Sequence, residues 1–105
     1  MSKQILFEIA TPIDLVVEVS RQRWEAIISI KHPAMLGAEK LLCEVLSNPD
    51  QIRRSRRDSN VLLFYKARLP KRWICAVVKR LDDRATLITA YPTNAIKVGD
   101  VIWTR

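Results

Sequence analysis

Residues 51–57 read QIRRSRR, four arginines in seven positions, and the apolar run VLLFY follows at 61–65. A guanidinium is a planar fork of donors that matches phosphate oxygens. Arg53, Arg54, Arg56 and Arg57, with Ser55 among them, are therefore the candidate phosphate- or RNA-binding residues. The chain carries one histidine, His32, and an imidazole can take or give a proton near neutral pH. Lys79, Thr89 and Tyr91 fall on later strands that can neighbour the one ending at Tyr65. Together these types suit RNA cleavage, in which the 2′-hydroxyl attacks the adjacent phosphate. That reaction needs a base for the 2′-oxygen, an acid for the leaving 5′-oxygen and cations for the charge that builds on phosphorus. His32 can be base or acid, Arg54 and Lys79 the cations, and Thr89 an orienting hydroxyl. Tyr65 or Tyr91 can stack a base or donate a hydrogen bond. The second proton carrier is unassigned, because no second histidine exists and Glu39 and Glu44 lie on a helix.

Those residues need one domain, and 105 residues at 49% hydrophobic content supply it as a single unit, 1–105. A net charge of +7 favours a polyanionic partner, RNA above all. Cys43 and Cys75 are far apart and lack zinc-ligand spacing, so no metal is expected and free thiols in a reducing compartment are. With two glycines, no phosphate-cradling loop can be drawn, which argues against nucleotide cofactors. No GxSxG elbow is present. No apolar run approaches the roughly 18 residues of a membrane helix, and the first residues lack a signal peptide's apolar stretch. The chain is expected in the cytoplasm, with no membrane partner.

The positioning elements follow from periodicity. QILFEIA and IDLVVEV predict two strands within residues 4–19, divided by Thr11 and Pro12. Ser20 can cap a helix that starts at Arg21 and buries Trp24, Ile27 and Ile28. Pro33 stops it, which puts His32 at an abrupt helix end. A second helix is predicted over about 36–47, with Ala38, Leu41, Leu42, Val45 and Leu46 as its apolar stripe. Strands are predicted at 51–57, 61–66, 73–80 and 85–91, separated by polar or proline-containing turns. The tail is predicted to be loop, with Gly99 and Asp100 in a turn and Trp103 as an anchor. The expected architecture is α+β: an N-terminal strand or hairpin and two helices packed on a four-stranded antiparallel β-sheet. Strand alternation puts Tyr65 with Leu63 and Val61, Lys79 with Val77 and Cys75, and Thr89 and Tyr91 with Leu87. A regular meander gathers Tyr65, Lys79, Thr89 and Tyr91 into one polar patch. The register leaves open whether Arg54 or Ser55 joins it.

The series WEAIISIKHP, LLCEVLSNPDQIRRSRRD, VLLFYK, WICAVVK and ITAYPTNAIKVG resembles the phage-associated and toxin-like nuclease domains of the barnase, EndoU, colicin and RelE superfamily. The likeness runs from Trp24 to Trp103. It implies helices on a four-stranded antiparallel sheet, a barnase-like fold, and metal-independent endoribonuclease activity on the open sheet face. Carried over by position, its site residues are His32, Arg54, Ser55, Tyr65, Lys79, Thr89 and Tyr91. Two other functions fit the same residues. One is a non-catalytic RNA-binding module; the other is a protein-interaction domain whose basic face meets an acidic inhibitor protein.

Overall fold

A computed structural model describes residues 4–97 and 99–105. The first strands form a hairpin, β1 (Ile5–Ala10) and β2 (Val16–Ser20), whose turn is tightened by Asp14 at φ 57°. The Ser20 hydroxyl then accepts the backbone N–H of Arg23 and starts α1 (Arg21–Ala26). From Ile27 the winding loosens into a π-helical turn, Ile27–Lys31, closed by the His32 N–H donating to the Ile27 carbonyl at 2.7 Å. Pro33 cannot continue that ladder and instead opens a 3₁₀ turn, Pro33–Met35. Gly37, at φ 78°, reverses the chain into α2 (Glu39–Ser47), which buries Leu42, Val45 and Leu46.

Five more strands follow: β3 (Gln51–Arg54), β4 (Val61–Leu69), β5 (Arg72–Leu81), β6 (Arg84–Thr93) and β7 (Asp100–Thr104). Two-residue turns join β4 to β5 and β5 to β6, with Lys71 and Asp82 at positive φ. All strands lie in one sheet, in the order β1-β2-β6-β5-β4-β3-β7. The expected four-stranded antiparallel sheet is therefore corrected to a seven-stranded mixed sheet carrying two short helices. The N-terminal hairpin is not a separate element: β2 pairs in parallel with β6 through Val16–Arg84, Val17–Ala85 and Glu18–Thr86. That pairing spans most of the chain, so local periodicity does not reveal it. The tail is not loop either: VIW is β-branched and aromatic, and it pairs along β3. The arginine strand is shorter than 51–57. It ends at Arg54, because from Ser55 the chain turns back toward β4, with the Ser55 N–H bonded to the Val61 carbonyl at 2.9 Å.

Both helices cover one face of the sheet. Trp24, Ile27, Met35, Leu42, Val45 and Leu46 pack there against Val17, Ile52, Leu62, Phe64, Ala76 and Leu87. The opposite face carries a smaller apolar cluster built on Leu63, Tyr65 and Cys75. Among the described residues no helix is long and apolar enough to cross a membrane.

Candidate functional site

On the open face, side chains line up in rows across the strands. One row is Gln51, Tyr65, Cys75 and Tyr91, in register from β3 to β6. The next is Arg53, Leu63, Val77 and Thr89. The third is Val61, Lys79, Thr86 and Glu18. Same-face residues on a strand are about 6.8 Å apart, so Lys79 stands roughly 13 Å along β5 from Cys75. The expected patch is thus divided: Tyr65 and Tyr91 share a row, Thr89 is one row away and Lys79 two. Lys79 instead reaches the Asp58 carboxylate at 3.4 Å. Asp58 is held below its ordinary pKa, first by the backbone N–H of Asn60 and then by Lys79.

Alternation predicts Leu87 on the same face as Thr89 and Tyr91, and this too is corrected. The register shifts between Val77–Thr89 and Val78–Leu87, leaving Ile88 as an extra residue in β6. Leu87 points into the helix-covered core, while Thr89 and Tyr91 face the other way. Without this bulge Tyr91 would turn toward the helices.

The same strand explains the position of His32. β2 pairs with β6 only at Arg84, Ala85 and Thr86. Beyond Thr86 that flank of β6 has no strand partner among the described residues, and the end of the π turn comes down beside it. The His32 ring sits 5.2 Å from the Tyr91 ring, tilted by 37°. The Lys97 ammonium lies 5.3 Å from the centre of the same ring. Lys97 belongs to the connection from β6 to β7, which crosses the open face. Ile96 packs on the Tyr65–Cys75 cluster, the Lys97 N–H donates to the Tyr65 hydroxyl at 3.0 Å, and the Gly99 carbonyl accepts from the Arg53 guanidinium at 3.2 Å. A Cβ at residue 99 would stand 2.8 Å from the Arg54 carbonyl oxygen, so glycine is what lets this connection lie against β3.

Electrostatics under the crossing chain favour neutral groups. Burial pushes the Tyr65 phenol up to about 12, against a smaller opposing pull from the Lys97 N–H. Burial pushes the Cys75 thiol up to about 11, although the Tyr91 and Tyr65 hydroxyls beside it favour the thiolate. Tyr91 is raised further, by burial first and by the neighbouring Cys75 second. None of the three is poised to exchange protons near neutrality. Thr89 Oγ1 and Tyr91 Oη are buried without a well-formed hydrogen bond among the described residues. An unsatisfied buried hydroxyl costs on the order of 1–3 kcal/mol, and the Tyr91 hydroxyl has the weakly bonding Cys75 thiol beside it.

The arginines diverge. Arg53 alone reaches the open face, bonded to the Gln51 side chain at 2.7 Å as well as to Gly99. Arg54 is exposed on the opposite side, in register with Leu62 and Asp100. The Ser55 hydroxyl accepts the Arg57 N–H, Arg56 pairs with Asp100 at 3.5 Å, and Arg57 is exposed. Chemically, His32 can transfer a proton, while Lys97 and Arg53 can meet an anion. Lys97 and Gln51 are the residues that sequence reasoning misses. Lys97 sits in IKVG, which reads as a structural tail, and only the crossing of the β6–β7 connection brings it to Tyr91. Compared with protein-family models, curated proteins and solved structures, the chain matches none of them.

Proposed function

We propose that this protein is a small cytoplasmic endoribonuclease of the toxin-like or phage-related kind, cutting RNA without a metal through attack of the 2′-hydroxyl on the adjacent phosphate. The observation that carries the proposal is the grouping at the free flank of β6. The single histidine is held against Tyr91, a lysine ammonium faces the same ring, and an unpartnered threonine hydroxyl lies one row away. The net charge of +7 supports the same reading, and the two free thiols suit a reducing compartment.

In this mechanism His32 takes the 2′-hydroxyl proton as the 2′-oxygen bonds to phosphorus. The bond from phosphorus to the 5′-oxygen breaks, and that oxygen collects its proton from water. The products are a 2′,3′-cyclic phosphate and a free 5′-hydroxyl. Lys97 and Arg53 offset the negative charge on the phosphorane, the Thr89 hydroxyl bonds a phosphate oxygen, and the Tyr91 ring supports the flanking base.

One observation favours a second reading. Burial raises the pKa values of Tyr65, Tyr91 and Cys75 away from the neutral range, so none of these three readily exchanges a proton as a second carrier beside His32. A module that binds RNA without cutting it, or that serves as the docking face for an acidic inhibitor protein, needs no such group. The deciding experiment is incubation of the protein with total RNA in EDTA, beside His32→Ala. Cyclic phosphate ends that fall ~100-fold or more in the variant support the nuclease. Intact RNA with salt-sensitive binding supports the binding module instead.

A further inference from the structure

A cleft of about 1030 Å³ opens where the 3₁₀ turn and the start of α2 face the tip of the β4–β5 hairpin and the end of β6. Its walls mix apolar and polar surface, and its rim is basic. Leu36 and Leu69 are 73% and 67% exposed, so their apolar surface lies uncovered. Lys40, Arg68 and Arg72 stand around them, and none is in an ion pair among the described residues. Glu44 is the single carboxylate in the lining. The cleft also continues the site already described. Its sheet wall begins with Trp73 and Thr93, which pair one row beyond Cys75 and Tyr91, and its helix wall begins at Ala34, two residues after His32.

We propose that this cleft holds the single-stranded RNA next to the cleaved phosphate, an inference that rests on the RNA-cleaving reading of the His32–Tyr91 site. Its chemistry matches that ligand at two levels. Bases stack on exposed apolar and aromatic surface with little regard to sequence, and unpaired cations follow the backbone phosphates. Small-molecule sites occupy roughly 300–1,000 Å³, and this cleft is at the upper end, which suits more than one nucleotide. Thr93 and Trp73 lie one row beyond Tyr91 and Cys75, so an RNA strand that leaves the scissile phosphate along β6 reaches the cleft at the sheet's end. The excess of cations disfavours a basic or neutral occupant.

The test separates the cleft from the chemistry. Binding is measured with an eight-residue 2′-O-methyl RNA, which cannot be cut, using the wild-type chain and the exposed double variant Arg68→Ala/Arg72→Ala. Cleavage is measured on a dinucleotide and on an unmodified eight-residue RNA. The expected result is roughly tenfold weaker binding of the 2′-O-methyl RNA by the variant. Its salt slope should fall by about 1.4, at about 0.7 per phosphate contact on single strands. The variant should also lose kcat/KM on the eight-residue RNA while cutting the dinucleotide like wild type. Leu36→Asp, which leaves every cation in place, should weaken the same binding. Binding of the 2′-O-methyl RNA unchanged in both variants overturns the proposal. So does equal loss on short and long substrates, or binding of an acidic peptide with none of the oligonucleotide. If no RNA is cut but binding depends on Arg68 and Arg72, the nuclease reading fails and the cleft stands.

Discussion

The two ends of the open sheet face handle charge in opposite ways. At one end Glu18, Lys79 and Arg84, on β2, β5 and β6, are paired. Arg84 reaches Glu18 at 2.7 Å and Glu8 at 3.3 Å, and Lys79 holds Asp58. At the other end Lys97, Lys40, Arg68 and Arg72 are in no ion pair among the described residues, and Thr89 and Tyr91 have hydroxyls without a well-formed hydrogen bond there. Paired charges satisfy each other and hold the edge of a sheet in register, whereas unpaired ones are left for a ligand. The comparison separates two lysines that look alike in the sequence: Lys79 belongs to the satisfied end and Lys97 to the open one.

The strongest way to break this division is to remove what orients it. Deleting Ile88 takes out the bulge, so either Tyr91 or Leu87 must face the wrong side of the sheet. We expect a loss of about 3 kcal/mol or more in urea unfolding; an unchanged midpoint would mean that β6 is regular. Next in size is the alkaline limb of stability. Folding raises Cys75 from 9.0 to about 11 and Tyr65 from 10.0 to about 12. The folded chain therefore keeps protons that the unfolded chain releases, and stability is complete below pH 9 and falls as pH rises through 11 and 12. Each shift is worth on the order of 2–3 kcal/mol. Tyr65→Phe and Cys75→Ala should each flatten the fall measured between pH 9 and 11, and a curve identical to wild type would place these groups in water.

Smaller effects sharpen the contrast between the lysines. Lys97→Ala should lower cleavage or binding of RNA about tenfold or more, and Lys79→Ala should cost less. The reverse order would move the anion site to the satisfied end. Smallest of all, Arg84→Gln should change RNA cleavage and binding by less than about twofold, because its charge is spent on Glu18 and Glu8. A loss comparable to that of Lys97→Ala would show that Arg84 meets the ligand.

Local rules made particular parts of this fold legible. Ser20 before RQRW gave the helix start, and Pro33 gave the abrupt end that positions His32. Alternation in VLLFY and WICAVVK put Tyr65 and Cys75 on one face. The failures share a cause. The parallel joining of β2 to β6, the docking of β7 on β3 and the crossing of Lys97 over Tyr91 all depend on residues far apart in the chain. The bulge at Ile88 is local, but one inserted residue carries no compositional signal in LITAY, where every residue suits a strand. Four arginines in seven positions suggested one surface; pairing and turning sent them to several.

The connection from β6 to β7 also sets a clock. It lies across Tyr65 and is pinned through Gly99 to Arg53, so the arrangement around Tyr91 is complete only when β7 has docked beside β3. β2 must by then have found β6 across a separation of more than half the chain. Sheets closed by such distant partners assemble slowly, in milliseconds to seconds, since the loop entropy is lost before the contacts form. For that interval the chain has no finished site, so whatever chemistry this surface carries out begins after folding ends.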